Sequence, residues 1–445
     1  MAAALAPADG ARHDRAMKWL VRFLAVVGAC WLLWTGYALA TPETEDQLPR
    51  ALLPAPVPED IDLVGVVARH LNVPVTTGNT LEALINGDEI FPAMLDAVER
   101  ARRSVRVLTY VYWTGDVADR FADALVRAAG RGVNVRVVLD GWGARKMDES
   151  LETRMREAGV HVAWFHPLAW SDIRRINHRT HRKIMVVDDE IAFVGGVGIA
   201  EEWTGNAAGP DEWRDDHFRV TGPAVRWIDG SFAENWLNAS DELLLDGAGD
   251  DDALGARTEG IGTDRIAVLS ASPRGDVSPI ALTYWAGLRA ARASVDIATP
   301  YFVPDPALLE AIEQTARRGV RVRLLVPGSH ADKALVRLAS RAHYPALLEA
   351  GVEVHEFQPT MLHVKAVLID ERWSIVGSAN FDNRSFELND EIALLTDSGK
   401  FAARMRETFE ADLERSTRLD SATRSGRDRL IDRLSLPLLV LREQL

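Results

Sequence analysis

The polar and apolar positions are first unbalanced at the N-terminus. Arg12, Arg15, Lys18 and Arg22 precede "FLAVVGACWLLWTGYALA", Phe23 to Ala40, which carries no charge. As a helix these residues rise roughly 27 Å, the depth of a bilayer core. Trp31, Trp34 and Tyr37 suit an interface, and the acidic "TPETED" follows. The pattern predicts a basic segment over 1–22 and a transmembrane anchor over 23–40, with the N-terminus in the cytoplasm. Ala38-Leu39-Ala40 has the form of a signal-peptidase site, but the run is longer than an ordinary signal core, so the anchor is preferred. Residues 41–74, with "LPRALLPAPVPEDIDL", read as a Pro-rich tether, and folded sequence is expected from Val75.

Farther on the period changes. "DEIFPAMLDAVERARRS" places Phe91, Met94, Leu95 and Val98 on one helical face. Short Val- and Ile-rich runs then alternate with helical stretches, and the whole series occurs twice. "ARRSVRVLTYVYWTGD" from Ala101 resembles "ARASVDIATPYFVPDP" from Ala291. "AAGRGVNVRVVLDG" from Ala128 resembles "TARRGVRVRLLVPG" from Thr315, and "MREAGVHVAWFHP" from Met155 resembles "LLEAGVEVHEFQP" from Leu347. Strands alternating with helices predict an α/β fold, a helix-covered sheet built in tandem. The halves are placed at 75–245 and 263–415, with an acidic junction at 246–262 and a tail at 416–445. Packing about a pseudo-twofold axis brings equivalent edges together.

The chain has 445 residues and a formal net charge of −14, a balance that argues against a protein that coats nucleic acid. Its one cysteine, Cys30, lies in the apolar run, which excludes an internal disulfide and a cysteine metal cage.

The chemistry lies in two segments in corresponding places, "HRKIMVVD" from His181 and "HVKAVLID" from His363. Alternation along a strand puts His181 with Lys183, and His363 with Lys365, on one face. An imidazole beside an ammonium suits a phosphate: the lysine neutralises charge on its oxygens, and the histidine attacks or transfers a proton. Two copies supply a nucleophile on one side of phosphorus and a proton donor on the other. Asp188 and Asp370 complete each motif, five residues beyond the lysine, and face away from it as structural carboxylates. Downstream, Ser378 and Asn380 are candidates to bind phosphate, and Glu391 to orient His363. In the first half Gly196 and Gly198 replace the Ser and Asn, so backbone N–H groups stand in. Asp215 is assigned to His181, with Asp216 and His217 as alternatives. His178 and His181 form H-x-x-H, but the second copy lacks the first histidine, so no metal and no cofactor is expected.

The paired HxKx4D motifs, "TPYFVPD" and "GSAN" resemble the phospholipase D superfamily. "YVYWTGD", "NHRTHRK", "VGGVGIAEEW", "MLHVK" and "VGSANFDNRSF" are most similar to its bacterial cardiolipin synthase branch, over roughly Val75 to Glu414. The resemblance implies tandem phospholipase D-like domains and places His181, Lys183, Asp188, His363, Lys365 and Asp370 in the catalytic set. It implies metal-free transfer of a phosphatidyl group between two phosphatidylglycerol molecules through a phosphohistidine, with His181 as nucleophile and His363 as acid and base. Phospholipids and the bacterial inner membrane are the implied partners, with the catalytic domains on the extracytoplasmic face and no nucleic acid. The alternatives are a phospholipase D making phosphatidic acid, a phosphodiesterase acting on nucleic acid, and a non-catalytic lipid-binding protein. Gly198 departs from the Asn found in many relatives, and one membrane segment replaces the usual two.

Overall fold

The computed structural model describes residues 10–40, 58, 60–167, 175, 177–245, 262–273 and 277–420. The chain divides into Met1–Gln47 and Leu48–Leu445. The first unit contains a helix over Gly10–Ala40. Its side chains are described from Met17 to Leu32, and the large apolar ones, Trp19, Phe23 and Trp31 among them, are exposed. Among the described residues no helix is long and apolar enough to cross a membrane. The end of the uncharged run, at 33–40, lies outside the described side chains, as the tail beyond residue 420 and most of the acidic junction lie outside the described residues.

The second unit is built on one mixed sheet. Its first half supplies β1 (Val75–Ile85), β2 (Ser104–Thr109), β3 (Asn134–Asp140), β4 (His161–Phe165), β5 (Arg179–Thr180), β6 (Ile184–Val187), β7 (Ile191–Gly195) and β8 (Asp216–Thr221). The second supplies β9 (Asp264–Ala271), β10 (Ser294–Ala298), β11 (Phe302–Val303), β12 (Arg321–Pro327), β13 (Glu353–Phe357), β14 (Ala366–Ile369), β15 (Trp373–Gly377), β16 (Phe381–Asp382), β17 (Asn389–Thr396) and β18 (Ser416–Leu419). The order is β18-β13-β12-β10-β14-β15-β17-β9-β1-β8-β7-β6-β2-β3-β4, with β5 on β17, while β11 and β16 pair apart. Outward from the β1–β9 seam, the two halves run through corresponding strands in the same order. β18 is added at one edge, where the sequence predicted the start of a tail.

Helices cover both faces, which is why the strands are apolar almost throughout. Val135, Val137 and Leu139 of β3 pack with Phe121 and Leu125 of the helix Asp116–Gly130. Val138 faces the opposite layer, where Phe232 and Trp236 meet Phe357, Phe401 and Phe409 of the second half. That layer is shared, so the halves are joined by packing as well as by β1–β9 hydrogen bonds.

The expected tether is partly folded. A helix over Leu63–Leu71 begins at Asp62, whose carboxylate accepts from Gly65 N, and ends at left-handed Asn72. Leu63, Val64 and Val67 enter the second half's core, and Arg265 pairs with Asp62 at 2.8 Å. Proline content hid a short apolar run with caps at both ends.

Candidate active site

Each histidine stands just before a strand of its own half and is anchored to the other half. β5 runs parallel to the start of β17, with Arg179 opposite Asn389 and Thr180 opposite Asp390. Arg214 makes the corresponding parallel bridge to Leu362. His181 N donates to Asp390 O at 2.9 Å, and His363 N donates to Arg214 O at 2.7 Å. The next residue along each partner segment is Glu391 or Asp215. His181 Nδ1 therefore donates to Glu391 Oε1 at 2.8 Å, and His363 Nδ1 to Asp215 Oδ2 at 2.7 Å. This reverses the pairing inferred from the sequence, where each carboxylate was given to the histidine of its own half. Proximity along the chain suggested that pairing; the bridges between halves decide against it. Asp216 turns away to Arg214, which also holds Asp412, and His217 makes no hydrogen bond to its imidazole nitrogens.

With Nδ1 engaged, Nε2 is the nitrogen each ring offers to the cavity. Lys365 Nζ also lies 2.6 Å from His363 Nδ1. We place the proton on Nδ1, facing the carboxylate, because Lys365 has the His363 carbonyl as its acceptor. Lys183 Nζ donates likewise to the His181 carbonyl at 2.7 Å.

The carboxylates are themselves held, by unlike groups. Ser378 Oγ donates to Glu391 Oε2 at 2.5 Å, and Asn389 Nδ2 lies 3.4 Å from Oε1. Ser378 thus orients the carboxylate, where the sequence suggested phosphate binding. For Asp215 the donor is Trp203 Nε1, at 2.9 Å from Oδ2. Gly196, Gly198 and Trp203 stand where the second half has Ser378, Asn380 and Ser385. A Cβ on Gly196 would lie 2.3 Å from Asp215 Oδ1, and one on Gly198 2.7 Å from Val111 Cβ and 3.2 Å from the Trp203 ring. The glycines are therefore space for a carboxylate and an indole, and Gly198 is the accommodation that an Asn would fill. Trp203 was not picked out from the sequence, although aligning the repeat residue by residue sets it against Ser385.

Burial shifts the two histidines, their lysines and their carboxylates. It carries His181 and His363 well below 6.5, and Lys183 and Lys365 add to the fall. It raises Glu391 to about 7 against the pull of Lys183, and raises Asp215 against Lys365. It depresses Lys183 well below 10.5 and takes Lys365 to about 8. Burial thus disfavours charge on both imidazoles and both lysines, and a bound anion would oppose that effect.

Both histidines, Lys183 and Asn380 line one cavity of 270 Å³. Asn380 Oδ1 is buried without a hydrogen bond. Trp203 and Trp213 flank His363 at 5.3 and 5.5 Å, and Tyr110 meets His181 at 5.2 Å between ring centroids. Asp188 and Asp370 do not line it, so their place in the catalytic set is corrected. Each occupies a hairpin turn with positive φ, at 54° and 51°, and is followed by a second left-handed residue. The Asp188 carboxylate accepts from the amides of Arg102, Arg103 and Ser104, and Asp370 from those of Arg292, Ala293 and Ser294. They tie the motif hairpin to the start of the neighbouring strand. His178 Nε2 pairs with Asp390 Oδ1 at 2.7 Å, and among the described residues no group of three or more potential metal ligands occurs.

Residues 94–206 and 284–413 match the family described as cardiolipin synthase, PLD-like domain. The chain is 32% identical to cardiolipin synthase 1 of Bacillus cereus, over 87% of this chain and 78% of that protein. It is 35% identical to cardiolipin synthase A of Pseudomonas fluorescens, over 77% of this chain and 70% of that one. Among solved structures, phosphatidylserine synthase of Haemophilus influenzae shares the fold, with a TM-score of 0.64 at 14% identity over 86% of this chain and all of that one. Two matched segments, each containing one His-x-Lys motif, and identity sustained over most of the length make this chain a member of the cardiolipin synthase family of phospholipase D-like proteins.

Proposed function

We propose that this protein is a membrane-anchored cardiolipin synthase that joins two phosphatidylglycerol molecules through a phosphohistidine. One observation carries the reading. Two buried histidines, each oriented through Nδ1 by a carboxylate of the opposite half, face one cation-lined cavity. In this reading the halves are tandem phospholipase D-like sandwiches about a pseudo-twofold that passes between the histidines.

The donor phosphodiester sits between the rings, with Lys183 and Asn380 around its oxygens, while Lys365, which does not line the cavity, adds its charge from the Nδ1 side of His363. His181 Nε2 attacks phosphorus and forms a P–N bond while the P–O bond to glycerol breaks. His363 Nε2 gives its proton to the departing glycerol oxygen. The phosphate anion favours that proton on His363, offsetting the fall that burial imposes. Glycerol leaves, and a hydroxyl of the second phosphatidylglycerol enters. His363 takes its proton as the oxygen attacks phosphorus and the P–N bond breaks. Cardiolipin and glycerol are the products, and both histidines return to their starting forms.

Residues 23–40 are assigned to the anchor, in the cell membrane, with the catalytic unit on the extracytoplasmic face. The basic residues before the run and the exposed apolar side chains between Met17 and Leu32 support this.

The test is a product assay. Full-length protein is mixed with phosphatidylglycerol liposomes and a chelator, beside His181→Ala and His363→Ala. Cardiolipin and glycerol are expected from the intact chain alone. Phosphatidic acid without cardiolipin would make the protein a hydrolase and overturn the reading.

A further inference from the structure

The cavity carries more positive charge than one phosphate requires. Arg145, Lys146, Lys183, Lys333 and Arg384 line it against two carboxylates, Asp332 and Asp382, in a chain whose net charge is −14. Lys183 belongs to the reacting phosphate, which leaves the others to be explained.

The repeat shows which of them depart from symmetry. "GWGARK" from Gly141 follows β3 as "GSHADK" from Gly328 follows β12. The backbones agree: Gly141 N donates to Phe165 O, and Gly328 N to Phe357 O, both at 2.9 Å. Lys146 therefore corresponds to Lys333, and Arg145 to Asp332. On the second-half wall Asp332 balances Lys333 and accepts from the Tyr301 hydroxyl. On the first-half wall both positions are cationic. Among the described residues neither Arg145 nor Lys146 has a carboxylate within ion-pair distance, whereas Arg127 and Arg154, on nearby helices, are paired with acids.

Hydrogen bonds and ring contacts hold that wall in place. Asp140 Oδ1 accepts from Trp142 N at 2.8 Å and Gly143 N at 2.9 Å. Trp113 Nε1 donates to Gly143 O, and Thr114 Oγ1 to Lys146 O, both at 2.8 Å. Lys146 Nζ rests 3.8 Å from the Trp113 ring centroid, and Arg145 stacks at 4.3 Å on Trp142. A pair of cations with no carboxylate partner among the described residues, held by ring contacts beside a phosphoryl-transfer centre, fits a second phosphodiester.

We propose that Arg145 and Lys146 bind the phosphate of the acceptor lipid, so that this wall selects an anionic lipid alcohol over neutral alcohols and water. The inference rests on the transferase reading above. The acceptor's own phosphodiester is held and not cleaved; only its free hydroxyl reacts.

The test sets two acceptors in competition for one donor. Full-length protein acts on phosphatidylglycerol liposomes containing ethanol, and cardiolipin and phosphatidylethanol are measured together. The first displacement is common to both products, so their ratio reports the acceptor alone. Arg145→Asp, which copies the second half, and Lys146→Gln are each expected to lower the cardiolipin-to-phosphatidylethanol ratio about tenfold or more, the scale of a lost charge-assisted hydrogen bond. Phosphatidylethanol formed by the same variant shows that it is folded. An unchanged ratio overturns the inference and leaves the transferase reading standing, as does a parallel fall of both products with weaker liposome binding, which would make the wall a membrane contact. No cardiolipin from the unaltered chain would overturn both.

Discussion

Lys365 couples the site to pH. Burial brings its ammonium down to about 8 against the opposing pull of Asp215. As pH rises through 8 the free enzyme loses that proton and part of the field that binds phosphate, so kcat/KM is expected to fall there. The stability effect of this group has the opposite sign. An unfolded lysine keeps its proton to 10.5, so between about 8 and 10.5 the unfolded chain binds more protons and the group's contribution to stability rises with pH. A pH–rate profile recorded with thermal unfolding separates the two, and an alkaline limb centred near 10 would sink the assignment. Asp188 and Asp370 behave differently, because each serves three backbone amides and neither lines the cavity. Asp188→Asn is expected to cost about 1–3 kcal/mol in urea unfolding, with kcat changed far less than in His181→Ala. A loss of kcat as large as that of the histidine variant would return Asp188 to the catalytic set.

At the scale of elements, the short parallel bridges carry the site. β5 against β17, and Arg214 against Leu362, are a few residues long, yet they decide which carboxylate meets which histidine. Asp215→Asn should therefore shift the imidazole nitrogen resonances of His363 and leave those of His181 nearly unmoved, and Glu391→Gln should do the reverse. Nitrogen NMR of histidine-labelled protein reads this directly; perturbation of the histidine in the same half would contradict the crossed arrangement. The strands around the site were legible in the alternation of short apolar runs with helical stretches, because a strand buried on both faces needs apolar residues at nearly every position. The helix at Leu63–Leu71 was not, since its composition resembles a tether and its partner is the second half's core.

For the whole molecule, a chain with a net charge of −14 carries a cavity lined by five basic side chains and two carboxylates, so the net charge does not describe the site. The proposed anchor is also a property at this scale. Removing residues 1–47, which form a separate unit, is expected to release the protein from membranes into the soluble fraction without changing its unfolding transition. A truncated chain that still sediments with membranes, while the transition is retained, would place membrane attachment on the catalytic unit instead.

The sequence alone determined the repeat, the α/β alternation, and the two histidines with their lysines. These are local or periodic properties, written in residues a few positions apart. It also named Asp215, Glu391, Ser378 and Gly196, but not their relations. Only the tertiary structure decided that Glu391 serves His181 and Asp215 serves His363, since their chain separations are 210 and 148 residues. It likewise decided that Gly196 and Gly198 make room for Asp215 and Trp203, and that Asp188 and Asp370 hold turns. A linear motif records which groups are present; which of them touch is fixed by how the two halves pack against each other.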